Sequence, residues 1–137
     1  MAWIIGTQSF PAFDSFHSDC AISVIFQEVS CQEAFNVMKD SIEMWHPEPS
    51  TGGEYALWSA IEMQYIWATR TTPVKKYVDD VMFEYFGDPN NFRAPGCTVT
   101  SKSRSQSISF YDNNTNFCNM WNVLQQVQGE HIEIEII

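Results

Sequence analysis

The chain has 137 residues, 45% of them hydrophobic and 15% aromatic, which fits one domain with a sizeable core and excludes a disordered chain. Seven basic residues stand against seventeen acidic ones, and the formal charge of −10 repels nucleic acid and anionic membrane surfaces alike. No basic cluster exceeds Lys75–Lys76 and no apolar run approaches the ~18 residues of a membrane span, so neither a nucleic-acid partner nor a membrane span is expected.

The opening "MAWIIGTQSFPAF" carries no basic stretch and too short an apolar run for a secretory leader, so a cytoplasmic location is expected. Residues 1–19, aromatic and interrupted by Pro11, read as an extended arm, and residues 20–137 as a single domain. "CAISVIFQ" (20–27) is β-branched and alternating, which predicts a strand. In "SCQEAFNVMKDSIEMW", Ser30 and Glu33 match a capping box. Cys31, Ala34, Phe35, Met38, Ile42 and Trp45 then fall on one helical face.

"HPEPSTGG" (46–53) is a loop by its prolines and glycines. The segment 55–71, "YALWSAIEMQYIWATRT", is dense in Tyr, Trp, Ile and Thr, and Met63, Tyr65, Trp67 and Thr69 alternate, which predicts two strands rather than a helix. "YVDDVMFEYF" (77–86) is a further strand. A turn-rich loop from Gly87 to Gly96 leads into "CTVTSKSRSQSISFY" (97–111), long enough for a bent strand or a hairpin. Asp112 opens a second helix that Gly129 ends. Asn116, Asn119 and Asn122 step by three along one side of it, against an apolar side of Phe117, Met120, Trp121 and Leu124. "HIEIEII" closes the chain as a strand whose edge suits a partner. The fold class is therefore α+β: a curved antiparallel sheet of five to seven strands with two helices packed on one face.

Cys20, Cys31, Cys97 and Cys118 form no CxxC pair. Their even number permits two disulfides, but buried thiols are the commoner arrangement in a cytoplasmic chain, and the helix pattern around Cys118 is expected to bury it. His17, His46 and His131 lie too far apart for a recognised zinc spacing. Asp112, Asn114 and Asn116 occupy the first, third and fifth positions of a calcium loop, yet Phe117 stands where that loop needs glycine and Val123 where it needs glutamate. Neither a metal nor another cofactor is expected.

Asp79 and Asp80 are adjacent on a strand and so point to opposite faces. An inward carboxylate needs a partner, and Arg104, on the next strand among small serines, is the expected one. The run "SKSRSQSIS" puts Ser101, Ser103, Ser105, Ser107 and Ser109 on alternate positions, either as a solvated face or as a hydrogen-bonding wall opposite the asparagine helix, with the solvated face the plainer reading.

"YVDDVMF" followed by "SKSRS", an aspartate and an asparagine four residues later resembles a family of bacterial and plastid proteins defined only as a domain of unknown function, with a "DDVEF"-like strand and an "SASRxGxSDxGxN" signature. The resemblance covers the second half of the chain. It implies that Asp79, Asp80, Phe83, Ser101, Ser103, Arg104, Asp112 and Asn116 occupy recurrent positions, with the polar ones gathered in one cluster. The glycine after the signature arginine is missing here, about three extra residues separate Arg104 from Asp112, and Asn119 stands where the family tends to carry arginine.

Three functions follow as expectations. A binding or interaction domain uses a pocket between sheet and helices lined by Trp45, Trp58, Trp67 and Trp121, with Asp79, Asp80, Ser101, Ser103, Arg104, Asp112, Asn116 and Asn119 as its polar groups and a small apolar ligand or a protein as its partner. A subunit of a homo-oligomer uses the isoleucine-rich final strand. A hydrolase uses Asp79 or Asp80 with Arg104 and Asp112, although no nucleophile–base pair is visible.

Overall fold

Alternation of small and apolar residues with longer polar ones along residues 95–105 gives that strand two unlike faces, and the division runs across the whole sheet. The computed structural model describes residues 4–5, 8–10, 19–106, 113–127 and 131–136. Its elements are β1 (Ile4–Ile5), β2 (Gln8–Ser9), β3 (Asp19–Ser30), α1 (Cys31–Met44), β4 (Glu54–Ile61), β5 (Tyr65–Thr71), β6 (Val78–Phe86), β7 (Pro95–Ser105), α2 (Asn113–Leu124) and β8 (His131–Ile136). The expected arm thus includes a two-strand pairing of β1 with β2. The other six strands form one antiparallel sheet in the order β4-β5-β6-β7-β3-β8.

The segment 55–71 is two strands, as its alternation predicts, joined at the turn containing Met63. β7 runs as one strand to Ser105, and the expected continuation to residue 111 lies outside the described residues, as do Asp112 and Gly129. No helix among the described residues is long and apolar enough to cross a membrane.

Both helices cover the same face of the sheet. Ile22, Val24 and Phe26 of β3, Ile66 and Ala68 of β5, Val81, Phe83 and Tyr85 of β6, and Cys97 and Val99 of β7 form one buried core. The helix residues Phe35, Met38, Ile42, Met120 and Leu124 complete it. Ser30 caps α1 by accepting the Glu33 amide at 3.1 Å, and all six apolar positions read on its face from the sequence are buried. The outer face is different. There Phe10, Tyr65, Trp67 and Met82 form a smaller apolar cluster.

Two cysteine expectations are corrected. Cys31, at the first turn of α1, and Cys97, at the start of β7, are joined as a disulfide rather than held as buried thiols. Cys118 is an exposed free thiol, because it lies on the side of α2 turned away from the sheet. Cys20 is also free, and burial pushes its thiol pKa up, with Asp19 adding to the effect.

Candidate functional site

Period-two geometry divides the expected polar cluster between the two faces. On β6, Asp79 shares the helix-covered face with Val81, Phe83 and Tyr85, whereas Asp80 shares the outer face with Met82. On β7, Ser101, Ser103 and Ser105 are buried beneath the helices, whereas Arg104 points outward opposite Asp80. Of the expected site residues, the structure joins Asp79, Ser103, Asn116 and Asn119 directly, places Ser101 beside them on β7, and sends Asp80 and Arg104 to the other side. Asp112 lies outside the described residues.

The inner group is a sealed polar layer. Ser103 Oγ donates to Asn116 Oδ1 at 2.7 Å, and Asn116 Nδ2 donates to Ser105 Oγ at 3.3 Å. Asn119 Nδ2 reaches Asp79 Oδ2 at 2.7 Å and Ser103 Oγ at 3.2 Å, while the Tyr55 hydroxyl donates to the Asn119 carbonyl at 3.0 Å. Ser103 and Ser105 therefore form a hydrogen-bonding wall and Ser101 is buried beside them, so this part of the run is not a solvated face; Ser107 and Ser109 lie outside the described residues. The amide side of α2 is the side turned to the sheet, and Phe117 and Trp121, expected on the apolar face, stack on each other half-buried with ring centroids 6.2 Å apart.

Arg70 belongs to this layer and is not singled out by any sequence signal, because its role depends on register alone. It lies opposite Asp79 on one side and Tyr55 on the other. Its Nη2 donates to Thr51 Oγ1 at 3.0 Å. A Cβ at Gly53 would come within 2.4 Å of the guanidinium, so glycine is what lets the loop close over it. The same loop holds Glu48. Burial raises that carboxyl's pKa, but the hydroxyls and amides of Ser50 and Thr51 outweigh burial and bring it below its ordinary value. Burial pushes the Tyr55 phenol far above its usual range.

The layer carries a cost. Arg70 Nε, Ser101 Oγ and Asn119 Oδ1 are buried without hydrogen-bond partners among the described residues. Each such atom costs about 1–3 kcal/mol of desolvation. Ser101→Ala removes one without touching the network and is expected to raise stability by about 1 kcal/mol, read as a higher urea midpoint. A lower midpoint would mean that the hydroxyl is bonded.

The outer face holds an open cleft. Its volume is about 240 Å³, and it is lined by Trp58, Trp67, Thr69, Asp80 and Gln106. β4 carries a bulge between Leu57 and Ser59, and the extra residue is Trp58. A bulge re-aims side chains, and here it leaves Trp58 60% exposed beside Trp67, ring centroids 6.3 Å apart and planes tilted by 58°. Trp67 is itself fixed. Phe10 packs on it at 5.6 Å, and its Nε1–H donates to Asp80 Oδ1 at 3.2 Å. Gln106 Nε2 donates to both Asp80 oxygens at 3.2 Å. Burial raises the Asp80 pKa, partly offset by the bonds from Trp67 and Gln106 and by the nearby charge of Arg104.

Two expectations change with this geometry. Asp80 takes its hydrogen bonds from Trp67 and Gln106, and Arg104 acts on it only as a neighbouring charge, so the expected Asp–Arg pair is a register pair. The expected pocket between sheet and helices is also divided. Trp58 and Trp67 line the outer cleft, whereas Trp45 packs on Tyr55 at 5.2 Å inside the core. The sequence signal available for this cleft was the alternation of Tyr65, Trp67 and Thr69 with Ile66 and Ala68. The bulge that brings Trp58 over it leaves no such mark. No family model matches the chain, and no curated protein matches it.

Proposed function

We propose that this protein is a small-molecule binding domain whose ligand enters the outer-face cleft between Trp58 and Trp67. The observation that carries the reading is the union of two tilted indoles, one of them largely exposed, with a buried carboxylate in a concave site. Large exposed aromatics beside convergent polar groups are the usual composition of a ligand pocket. The sealed layer around Asp79 and Asn119 serves instead to seat α2 on the sheet. A hydrolytic reading has less support, since Asp79 and Arg104 stand on opposite faces and only Asp80 shares Arg104's side.

The Cys31–Cys97 disulfide supports a place in an oxidising compartment, in preference to the cytoplasm. The resemblance to the "SASRxGxSDxGxN" family adds no activity to this reading. It is consistent with Asp79, Ser103 and Asn116 forming the α2 seat.

A fragment screen followed by indole NMR signals tests the cleft. Fragments are expected to shift the Trp58 and Trp67 indoles together. Trp58→Ala is expected to weaken those hits about tenfold or more with little change in stability, because the indole is mostly exposed. Hits that survive Trp58→Ala unchanged would move the binding site elsewhere.

A further inference from the structure

The walls and floor of the cleft also specify the charge of its occupant. Building on the cleft reading, we infer that the site takes a small organic cation, a quaternary or tertiary ammonium head group held between the Trp58 and Trp67 rings above Asp80.

Three observations carry this. Indole faces present negative quadrupole, and a cation within about 6 Å of a ring centroid is attracted to it. The two indoles form an open angle of 58°, the arrangement of a partial aromatic cage. Anionic ligands are disfavoured by such walls and by the carboxylate beneath them.

The second observation is the charge around the floor. Among the described residues, Asp80 receives its hydrogen bonds from the neutral Trp67 and Gln106. Arg104 is the register partner of Asp80 on one side and of Asp19 of β3 on the other, and it acts on Asp80 as a neighbouring charge. Asp80 thus puts a carboxylate at the floor of the cleft, inside a protein of net charge −10. A cation is drawn in by both the local and the overall field.

The third is energetic. Asp80 is 5% exposed, and burial disfavours its charged form. The folded protein therefore holds a carboxylate at some loss of stability, which a bound ammonium would offset. With the folded pKa raised, the Asp80 contribution to stability is present at acid pH and is lost as pH rises through the carboxylate range. At neutral pH Asp80→Asn, which keeps an oxygen for Trp67, is expected to fold at least as stably as the parent. A residue that the fold does not need charged is then available for a ligand. The cleft volume of about 240 Å³ lies below the ~300–1,000 Å³ of drug-sized pockets and suits a head group with a short tail.

The test is calorimetric titration with choline and with its neutral isostere 3,3-dimethylbutan-1-ol. Choline is expected to bind at one site, about tenfold tighter than the isostere, and Asp80→Asn to weaken choline about tenfold while leaving the isostere unchanged. Trp58→Ala is expected to weaken both. Equal affinity for the two probes, or choline affinity indifferent to Asp80→Asn, would overturn the cation inference while fragment hits at the indoles kept the cleft reading intact. Absence of choline binding to the parent protein would also overturn it. Failure of every fragment to shift Trp58 and Trp67 would remove the cleft reading itself.

Discussion

Reducing the Cys31–Cys97 disulfide is expected to cost about 4 kcal/mol, the largest single loss in the protein. The bond closes a loop with a sequence separation of 66 residues, and the entropy that such closure removes from the unfolded chain corresponds to roughly that figure. Its position adds to the effect. It ties the first turn of α1 to the start of β7, and Gly87 lies against it closely enough that an added Cβ would sit 2.9 Å from Cys31 Sγ. Urea titration with and without reductant reads the loss directly. Alkylation of the unfolded, unreduced chain should label two thiols, Cys20 and Cys118, and four after reduction. Four labelled thiols without reductant would show that the bond does not form.

Asp79→Ala is expected to cost about 3 kcal/mol, against no loss for Asp80→Asn at neutral pH. Asp79 is 2% exposed, accepts the Asn119 amide at 2.7 Å and stands in register with the buried Arg70. Removing it strands a charge-assisted hydrogen bond and leaves the guanidinium without the neighbouring carboxylate. With an m value of about 1–3 kcal/mol/M, the urea midpoint should fall by roughly 1–3 M. Equal midpoints for the two variants would contradict the assignment of these residues to different faces.

How far the sequence discloses this protein follows from period and register. The α1 face, the two strands within 55–71, and the opposed directions of Asp79 and Asp80 are all local patterns, and they appear as read. Pairings across the sheet are not local. Arg70 meets Asp79, and Asp80 meets Arg104 without bonding to it, because of strand register that no single segment encodes. Cys31 and Cys97 find each other for the same reason, since α1 and β7 meet only after the sheet has formed. The serine wall was legible as an alternation, but its burial depended on which face α2 covers. Trp58 is the clearest case. Its exposure comes from one extra residue in β4, and the cleft exists because of that bulge.

The four tryptophans among the described residues report on both faces at once, and their indole N–H signals give the most direct measurement of the central claim. In a choline titration followed by nitrogen–proton correlation spectra, Trp58 and Trp67 should move along one saturating curve while Trp45 and Trp121 stay in place. Movement of Trp45 and Trp121, with Trp58 and Trp67 unmoved, would contradict it.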